Sequence, residues 1–132
     1  MPSSSLARKL RIKPGHRLAV VNAPEGYRGR LDPLPDGARI VEALEPGLDF
    51  VQLYVRGSDE LARLGPAAFA AVKLEGLLWV CYPKGGARAG TDLNRDVLWA
   101  KMGEHGLTGV SLVAVDDTWS AMRFRPSGKV GA

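Results

Sequence analysis

The chain has 132 residues, is 45% apolar and carries a formal net charge of +4, from 18 basic and 14 acidic side chains. This length and composition predict one globular domain, over residues 1–132. No apolar run reaches the ~20 residues that cross a bilayer, and the N-terminus lacks a signal peptide's apolar core. The single cysteine excludes an intrachain disulfide. We therefore expect a cytoplasmic protein without membrane contact and without structural zinc.

The basic residues are concentrated at the N-terminus. Residues 1–17 contain five of them and no acid, and residues 1–13 are predicted to be a basic arm with a short helix capped by Ser4 or Ser5. Two interpretations stay open, namely a solvated helix with its loop, or an arm that contacts nucleic acid. Aromatic side chains for base stacking are missing from this segment, so we do not expect a nucleic-acid partner.

Apolar segments alternate with polar turns along the rest of the chain. The apolar runs predict strands at about 17–22, 38–43, 49–55, 77–82, 109–115 and 120–125. Helices are predicted near 26–31, from Ser58 with an interruption at Gly65-Pro66, and from Thr91 to the stop at Gly106. Strands that alternate with helices form a mostly parallel sheet, and the last two strands are close enough in sequence to form an antiparallel pair. The fold class is therefore α/β, and residues 126–132 are expected to form a flexible tail.

A ligand site is predicted where the strands end, because ligands of open α/β sheets bind at the carboxyl ends of the strands. The first strand stops at polar Asn22, and the chain then turns toward Gly26. The candidate ligand-binding residues are Asn22, Glu25, Gly26, Tyr27, Glu42, Tyr82, Lys84, Thr91, Asp92 and Trp119. They form a polar pocket for an anionic or zwitterionic ligand, or else Thr91 and Asp92 only cap a helix and Trp119 only covers the core.

For the adjacent acids Asp116 and Asp117 and for Cys81 we prefer a structural role to a functional one. Asp116 and Asp117 are adjacent, and neighbouring side chains of an extended chain point to opposite faces, so we favour a turn over a Mg²⁺ site. Cys81 lies within an apolar strand and is predicted to be inert core. No catalytic residue and no metal ligand is assigned.

Two segments resemble class I S-adenosylmethionine-dependent methyltransferases. They are Leu10-Arg11-Ile12-Lys13-Pro14-Gly15 before the first strand and Leu74-Glu75-Gly76-Leu77-Leu78-Trp79-Val80 leading into the fourth. The resemblance covers roughly residues 6–125 and implies a compact Rossmann-like, methyltransferase-like sheet closed by the antiparallel strand pair. The resemblance also implies S-adenosylmethionine as cofactor, with an acid after the second strand, here Glu42, on the ribose hydroxyls.

The turn after the first strand departs from that pattern. The family has a glycine-rich turn there, whereas only Gly26 is a glycine in the stretch 22–26. Pro24 removes an N–H donor from the same turn. We therefore expect no cofactor, with S-adenosylmethionine as the alternative.

A second resemblance spans nearly the whole chain. It is carried by Lys13-Pro14-Gly15, Asn22-Ala23-Pro24-Glu25-Gly26-Tyr27, Tyr82-Pro83-Lys84, Thr91-Asp92-Leu93, and Asp116-Asp117-Thr118-Trp119-Ser120 with Arg123-Phe124. Together these segments resemble a family of small bacterial proteins that is known only as a domain of unknown function. That resemblance implies no activity.

These observations lead to three functional hypotheses. The first is a module without catalytic activity that binds a small ligand or a protein partner in a regulatory role. The alternative is an S-adenosylmethionine-dependent methyltransferase with a degenerate glycine loop. The third is a nucleic-acid accessory protein that uses the basic arm. The P-loop, GxSxG and HExxH motifs are missing, so we incline toward a protein that is not an enzyme.

Overall fold

The computed structural model describes residues 3–129 and places six strands of this region in one sheet. The strands are β1 Arg17–Val21, β2 Arg39–Ile40, β3 Leu48–Tyr54, β4 Val72–Pro83, β5 Leu107–Ala114 and β6 Trp119–Pro126. The helices are α1 Ser5–Lys9, α2 Tyr27–Arg30, α3 Ser58–Ala71 and α4 Arg95–Gly103, with 3₁₀ turns at Gly86–Ala89 and Ser127–Lys129. The predicted α/β fold class is confirmed.

The order of the strands defines where a ligand crevice lies. The order is β2-β1-β3-β4-β6-β5, with β1 to β4 parallel and β6 antiparallel to both of its neighbours. The chain leaves β1 for β2 on one side and returns to β3 on the other, so the direction of winding reverses at β1. In open α/β sheets such a reversal leaves a crevice at the carboxyl ends of the strands.

Apolar side chains cover both faces of the sheet. On one face, Leu61 of α3 and Leu98 of α4 pack against the sheet, and on the other face Tyr27 of α2 does so. β3 lies between these layers, and Phe50 and Leu53 are fully buried. A parallel strand that is covered on both faces reads as a continuous apolar run, which is why the sequence pattern located β3.

The N-terminal segment is part of the fold rather than an extended arm. Ser4 accepts a 3.0 Å hydrogen bond from the Ala7 N–H and so caps α1. Ala7 and Leu10 are fully buried, and the Trp79 indole N–H donates a 3.0 Å hydrogen bond to the Leu10 carbonyl. The helix was predicted, but its packing against the sheet was not.

Two helix starts differ from the prediction. α4 begins at Arg95, because the Asn94 side chain accepts a 2.8 Å hydrogen bond from the Val97 N–H. The Thr91 hydroxyl instead accepts a hydrogen bond from the Leu93 N–H in the preceding turn. The N-cap of α3 is Gly57, one residue before the predicted Ser58.

α3 is not interrupted at Gly65-Pro66 and continues to Ala71. The ring of Phe69 covers Gly65, since a Cβ at that glycine would lie 2.9 Å from the ring. The helix therefore packs closely at Gly65 and keeps its course through Pro66, which lies within it.

The C-terminal end of the described chain is also more regular than predicted. β6 runs to Pro126, and the Ser127 N–H donates a 2.8 Å hydrogen bond to the Gly106 carbonyl. The Ser127 hydroxyl is 2.8 Å from that of Thr108. Residues 126–129 of the predicted tail therefore have secondary structure and hydrogen bonds, whereas 130–132 lie outside the described residues.

Candidate functional site

The loop after β1 is joined to the end of β3. Asn22 has a φ of 61°, in the left-handed region that asparagine tolerates better than most residues. Its side-chain N–H₂ donates a 2.9 Å hydrogen bond to the Tyr54 carbonyl and lies 3.3 Å from the Glu60 carboxylate. The Glu60 carboxylate also accepts a 2.6 Å hydrogen bond from the Arg56 N–H. The turn predicted at Asn22 is therefore held by the end of β3 and by α3.

A cavity of about 270 Å³ lies between the ends of β1 and β2. Its lining residues are Ala19, Val20, Val21, Asn22, Arg28, Val41, Glu42, Ala43 and Leu44. The Glu42 carboxylate is 3.7 Å from the Arg28 guanidinium, and the Glu42 side chain is 90% exposed. An exposed ion pair of this kind contributes little to stability, so the Glu42 oxygens are available to a ligand.

A second cavity, of about 400 Å³, lies on the other side of the same loop. Asn22, Glu25, Gly26 and Arg28 all contribute to its lining. Gly26 has a φ of 80°, and no atom of residues 3–129 lies within 4 Å of where its Cβ would be. The backbone of the loop is therefore open to a ligand at Gly26. The two cavities share Val20, Asn22 and Arg28, so five predicted site residues, Asn22, Glu25, Gly26, Tyr27 and Glu42, line one crevice.

Tyr27 also lines the second cavity, but it is buried, with 2% of its surface exposed. Its hydroxyl donates a 2.9 Å hydrogen bond to the side-chain carbonyl of buried Gln52, and burial raises the pKa of Tyr27 to about 12. The amide of Gln52 lies 3.4 Å from the Tyr54 hydroxyl and 3.3 Å from the Cys81 sulfur. Burial raises the pKa of the Cys81 thiol to about 12, as expected for inert core.

Trp119 covers the core, which is the second of its two predicted roles. Its side chain is only 7% exposed, and its ring packs edge-on against that of Tyr54 at 4.8 Å. Tyr54 in turn contacts Tyr27 at 5.0 Å. Arg30 lies over Tyr27 at 5.6 Å and Arg56 over Trp119 at 5.7 Å. Three buried rings and two exposed arginines thus form one series of contacts.

The other predicted site residues lie elsewhere at the carboxyl edge. Tyr82 is buried, and burial raises its pKa. The Lys84 N–H donates a 2.8 Å hydrogen bond to the Thr118 carbonyl, so the end of β4 is tied to the turn between β5 and β6. Asp92 accepts hydrogen bonds from the hydroxyl and the N–H of Ser58, and these hold the pKa of Asp92 below its usual range.

Thr91 and Asp92 therefore sit at the start of α3. They line a separate cavity of about 410 Å³ with residues 56–60. The structure does not bring them into the crevice around Asn22.

The adjacent acids after β5 have the predicted turn role. One oxygen of Asp116 accepts 2.8 Å hydrogen bonds from the N–H groups of Thr118 and Trp119, and the other accepts one of 2.9 Å from Arg30. Burial raises the pKa of Asp116, but the hydrogen bonds from Arg30 and the backbone outweigh it and lower the pKa overall. Within residues 3–129, no three His, Cys, Asp or Glu side chains are grouped to hold a metal ion. No helix in this range combines the length and the apolar character that crossing a membrane requires.

Sequence reasoning missed Arg28, Arg56 and Glu60. Arg56 lies just after β3, Glu60 lies in the first turn of α3 and Arg28 lies in α2, and each stands in a charged stretch that is typical of solvated surface. The available signal for Arg28 was its position two residues after Gly26, at the start of a short helix.

The fold is similar to that of several solved structures. DhpI in complex with SAH superposes with a TM-score of 0.61 at 13% identity, covering 92% of this chain and 82% of DhpI. A ribosomal protein methylase from Lactobacillus delbrueckii subsp. bulgaricus superposes with a TM-score of 0.55 at 10% identity, covering 92% and 74% of the two chains. A putative tRNA methyltransferase from Streptococcus pneumoniae, in complex with S-adenosyl-L-methionine, gives 0.51 at 13% identity, covering 92% and 70%. The predicted methyltransferase-like Rossmann fold is therefore confirmed.

No protein-family model and no curated protein matches the chain, so the resemblance to the small bacterial family has no support here. The inclination toward a protein that is not an enzyme is contradicted, because structures of the same fold include methyltransferases. The expectation of no cofactor is likewise weakened, since SAH or S-adenosyl-L-methionine is present in some of those structures. At identities of 10–13% the likeness shows the fold alone.

The crevice residues fit S-adenosylmethionine, on the chemistry of the groups present. The ribose hydroxyls need an exposed acceptor, which Glu42 provides beside the cavity between β1 and β2. The adenine ring needs apolar contact, and Val41 and Leu44 line the same cavity. The amino-acid part carries charges of both signs, and Glu25 and Arg28 lie on the loop side of the crevice. Pro24 still lacks an N–H to donate.

Proposed function

We propose that this protein binds S-adenosylmethionine at the carboxyl ends of β1 and β2 and acts as a methyltransferase. The observation that carries the proposal is the placement of Glu42. Its exposed carboxylate stands just beyond β2, beside the cavity that Asn22 also lines. In dinucleotide-binding sheets an acid about 20 residues past the first turn binds the ribose, and Glu42 holds that place relative to Asn22.

The residues of the crevice would divide the binding of the cofactor between them. Glu42 accepts hydrogen bonds from the ribose hydroxyls, and Val41 and Leu44 exclude water from the base. Gly26 lets the ligand approach the backbone, because a side chain there would fill the opening. When bound, S-adenosylmethionine supplies an electrophilic methyl group on a positively charged sulfur.

The hydrogen bond from Asn22 to Tyr54 would keep the loop open beside the cofactor. This bond and the contacts of Glu60 hold the loop in the absence of a ligand. A preorganised loop loses less conformational entropy on binding, which compensates in part for the donor that Pro24 lacks. The acceptor of the methyl group would approach from the side of β3 and β4, where Arg56 and Lys84 follow the strand ends.

The first test is calorimetric titration with S-adenosylhomocysteine, the demethylated product. We expect the wild-type protein to bind it and the Glu42→Gln variant to bind it at least about tenfold more weakly, since a hydrogen bond to a charged group contributes about 1.5–3 kcal/mol. Glu75→Gln is the matched control, because Glu75 pairs with Arg125 at 3.4 Å on β4, away from the crevice. No binding by the wild type at millimolar ligand, or equal losses in both variants, would contradict the proposal.

Methyl transfer itself is tested with S-adenosylmethionine that carries a labelled methyl group. The wild-type protein is incubated with separated RNA, protein and small-molecule fractions of a cell extract. We expect label in one fraction with the wild type and much less with Glu42→Gln. Binding of the cofactor without label in any fraction would contradict the catalytic part of the proposal.

A further inference from the structure

A groove of about 670 Å³ lies between α1 and the end of β5, on the face of the sheet opposite α3 and α4. Its lining residues are Ser5, Leu6, Arg8, Lys9, Arg30 and Val115. Three of these six described residues are cations and none is an acid. Arg8, Lys9 and Arg30 are all exposed, so the charge of this groove reaches the solvent.

More cations surround the turn that joins β5 to β6. The Lys9 ammonium donates a 2.6 Å hydrogen bond to the Ala114 carbonyl, where the turn begins. Arg56 lies over the ring of Trp119, where the turn ends. Lys84 is held beside the turn by the hydrogen bond from its N–H to the Thr118 carbonyl. Lys9, Arg56 and Lys84, which are far apart in sequence, thus all lie beside this turn.

The acids in this area neutralise the charge only in part. Asp116 accepts hydrogen bonds from Arg30 and from two backbone N–H groups, and Asp117 is the exposed acid of the turn. We call Arg8, Lys9, Arg30, Arg56 and Lys84 the basic surface. Asp59, Glu60 and Asp92 line a cavity together with Arg56, so among residues 3–129 the excess of positive charge lies at the groove, where Arg8, Lys9 and Arg30 have no acid beside them in the lining.

We infer that the basic surface binds the phosphate backbone of a single-stranded nucleic acid. Its cations come from α1, α2, the loop after β3 and the end of β4, a spread that suits successive phosphates of one chain better than a single small anion. The rings of Tyr27, Tyr54 and Trp119 beneath it are buried, so they offer no platform for base stacking. Recognition is therefore of the backbone, independent of base sequence and strongly dependent on salt.

The basic surface adjoins the crevice proposed for the cofactor. Arg30 belongs to the same four-residue helix as Arg28, which lines both cavities of the crevice. If the basic surface binds the substrate, the methyl acceptor is a nucleic acid, and this part of the inference rests on the proposed function. As a binding surface it does not depend on the cofactor.

The test is fluorescence anisotropy with a labelled single-stranded RNA of about 20 nucleotides, longer than a typical single binding site. The protein is titrated without cofactor between about 50 and 200 mM salt, a range over which backbone contacts weaken strongly. With four or five phosphate contacts we expect a slope of log affinity against log salt of about −3. No binding at the lowest salt, or a slope near zero, would overturn the inference.

Two triple variants distinguish an effect of the basic surface from an effect of the protein's net charge. Lys9→Ala/Arg56→Ala/Lys84→Ala removes three cations of the surface, and Arg63→Ala/Arg95→Ala/Lys101→Ala removes three from α3 and α4 on the opposite face. We expect the first triple variant to lose about tenfold or more in affinity and to flatten the salt slope by about 2. A loss that is no larger than that of the control triple variant would overturn the inference. If the alanine variant does not fold, the corresponding glutamine variant is measured against the same criterion.

The two proposals fail separately. S-adenosylhomocysteine is titrated without RNA, and RNA is titrated without S-adenosylhomocysteine. RNA binding without cofactor binding keeps the basic surface and contradicts the proposed function. Cofactor binding without RNA binding overturns the inference about the basic surface and leaves the cofactor site in place.

Discussion

The side-chain amide of Asn22 donates a 2.9 Å hydrogen bond to the main-chain carbonyl of Tyr54, which joins the loop after β1 to the end of β3. Asn22 also has a φ of 61°. Asn22→Gly keeps this conformation accessible but loses the hydrogen bond, which we expect to cost about 1 kcal/mol of unfolding free energy. Asn22→Ala loses the bond and adds about 1–2 kcal/mol for an L-residue in the left-handed region.

Urea unfolding of both variants tests this relationship. Glycine itself lowers the unfolding free energy by about 0.5–1 kcal/mol through the entropy of the unfolded chain. The difference in unfolding free energy between the two variants is therefore small, but it still favours Asn22→Gly. We expect Asn22→Ala to be the less stable of the two. The reverse order would contradict the positive φ at this position.

Gly109 of β5 is a position where a single added methyl group should destabilise the fold. A Cβ there would lie 2.8 Å from the Trp99 ring and 2.9 Å from the Met122 sulfur. We expect Gly109→Ala to cost about 1–3 kcal/mol of unfolding free energy, as overpacking does. Gly103→Ala, on the same helix as Trp99, has nothing within 4 Å of its Cβ in the described structure and serves as control.

Thermal unfolding distinguishes the two glycine variants. Gly103→Ala is expected to leave the melting temperature unchanged or to raise it, because alanine is the better helix former. Gly109→Ala is expected to lower it by several degrees, at about 2–8 °C per kcal/mol for domains near this size. Equal behaviour of the two variants would show that β5 and α4 are not packed against each other at Gly109.

The buried hydrogen bond between Tyr27 and Gln52 predicts a double-mutant result. Gln52→Leu leaves the Tyr27 hydroxyl buried without its acceptor, at a cost of about 1–3 kcal/mol. Adding Tyr27→Phe removes the unsatisfied hydroxyl, so we expect the double variant to be more stable than Gln52→Leu alone. Urea unfolding of the four proteins gives the coupling energy, and additive losses would contradict a direct bond.

Asp49 predicts a dependence of stability on pH. The hydrogen bond from Lys73 and then that from the Arg17 N–H lower its pKa in the folded state. A lowered folded pKa stabilises the protein above the unfolded value of about 3.9, and this contribution is lost as the pH falls through the folded pKa. Asp49→Asn should therefore be less stable than the wild type at pH 7 by about 1 kcal/mol, a modest value because the pair is partly exposed.

Chemical denaturation at neutral and acidic pH provides the measurement for Asp49. We expect the difference between the wild type and Asp49→Asn to be constant above about pH 5 and to shrink below about pH 4. A difference that grows toward acid would contradict the direction of the pKa shift.

The strands were predictable where burial forms a local pattern, and less so where it does not. β3 was located within one residue because Phe50, Val51 and Leu53 are apolar on both faces of the strand. β4 begins at Val72, five residues before the predicted start, although residues 73–75 are exposed. Val72, at the start of β4, pairs with Leu48 of β3. Backbone pairing of this kind does not require apolar side chains, so the hydrophobic pattern of the sequence does not predict it.

The site was predictable to the same extent. Asn22 and Glu42 both line the cavity between β1 and β2, because strand ends and turns are encoded in a few neighbouring residues. That a ligand binds there stays a prediction. Tyr27 was predicted to face the crevice, and Trp119 either to contact a ligand or to cover the core. Both are buried by contacts with Gln52 and Tyr54. Which side of a loop residue faces the solvent is decided by the element that packs over it.

The sequence by itself determined the α/β alternation, the mostly parallel direction of the strands and the edge of the sheet where polar loops gather, because these follow from local apolar patterns and turn residues. Only the tertiary structure decided which charges act together. Lys9 meets the Ala114 carbonyl 105 residues away, and Arg30 meets Asp116 at a separation of 86. Such contacts depend on how the helices pack on the sheet. That packing is determined by the core as a whole rather than by any short segment.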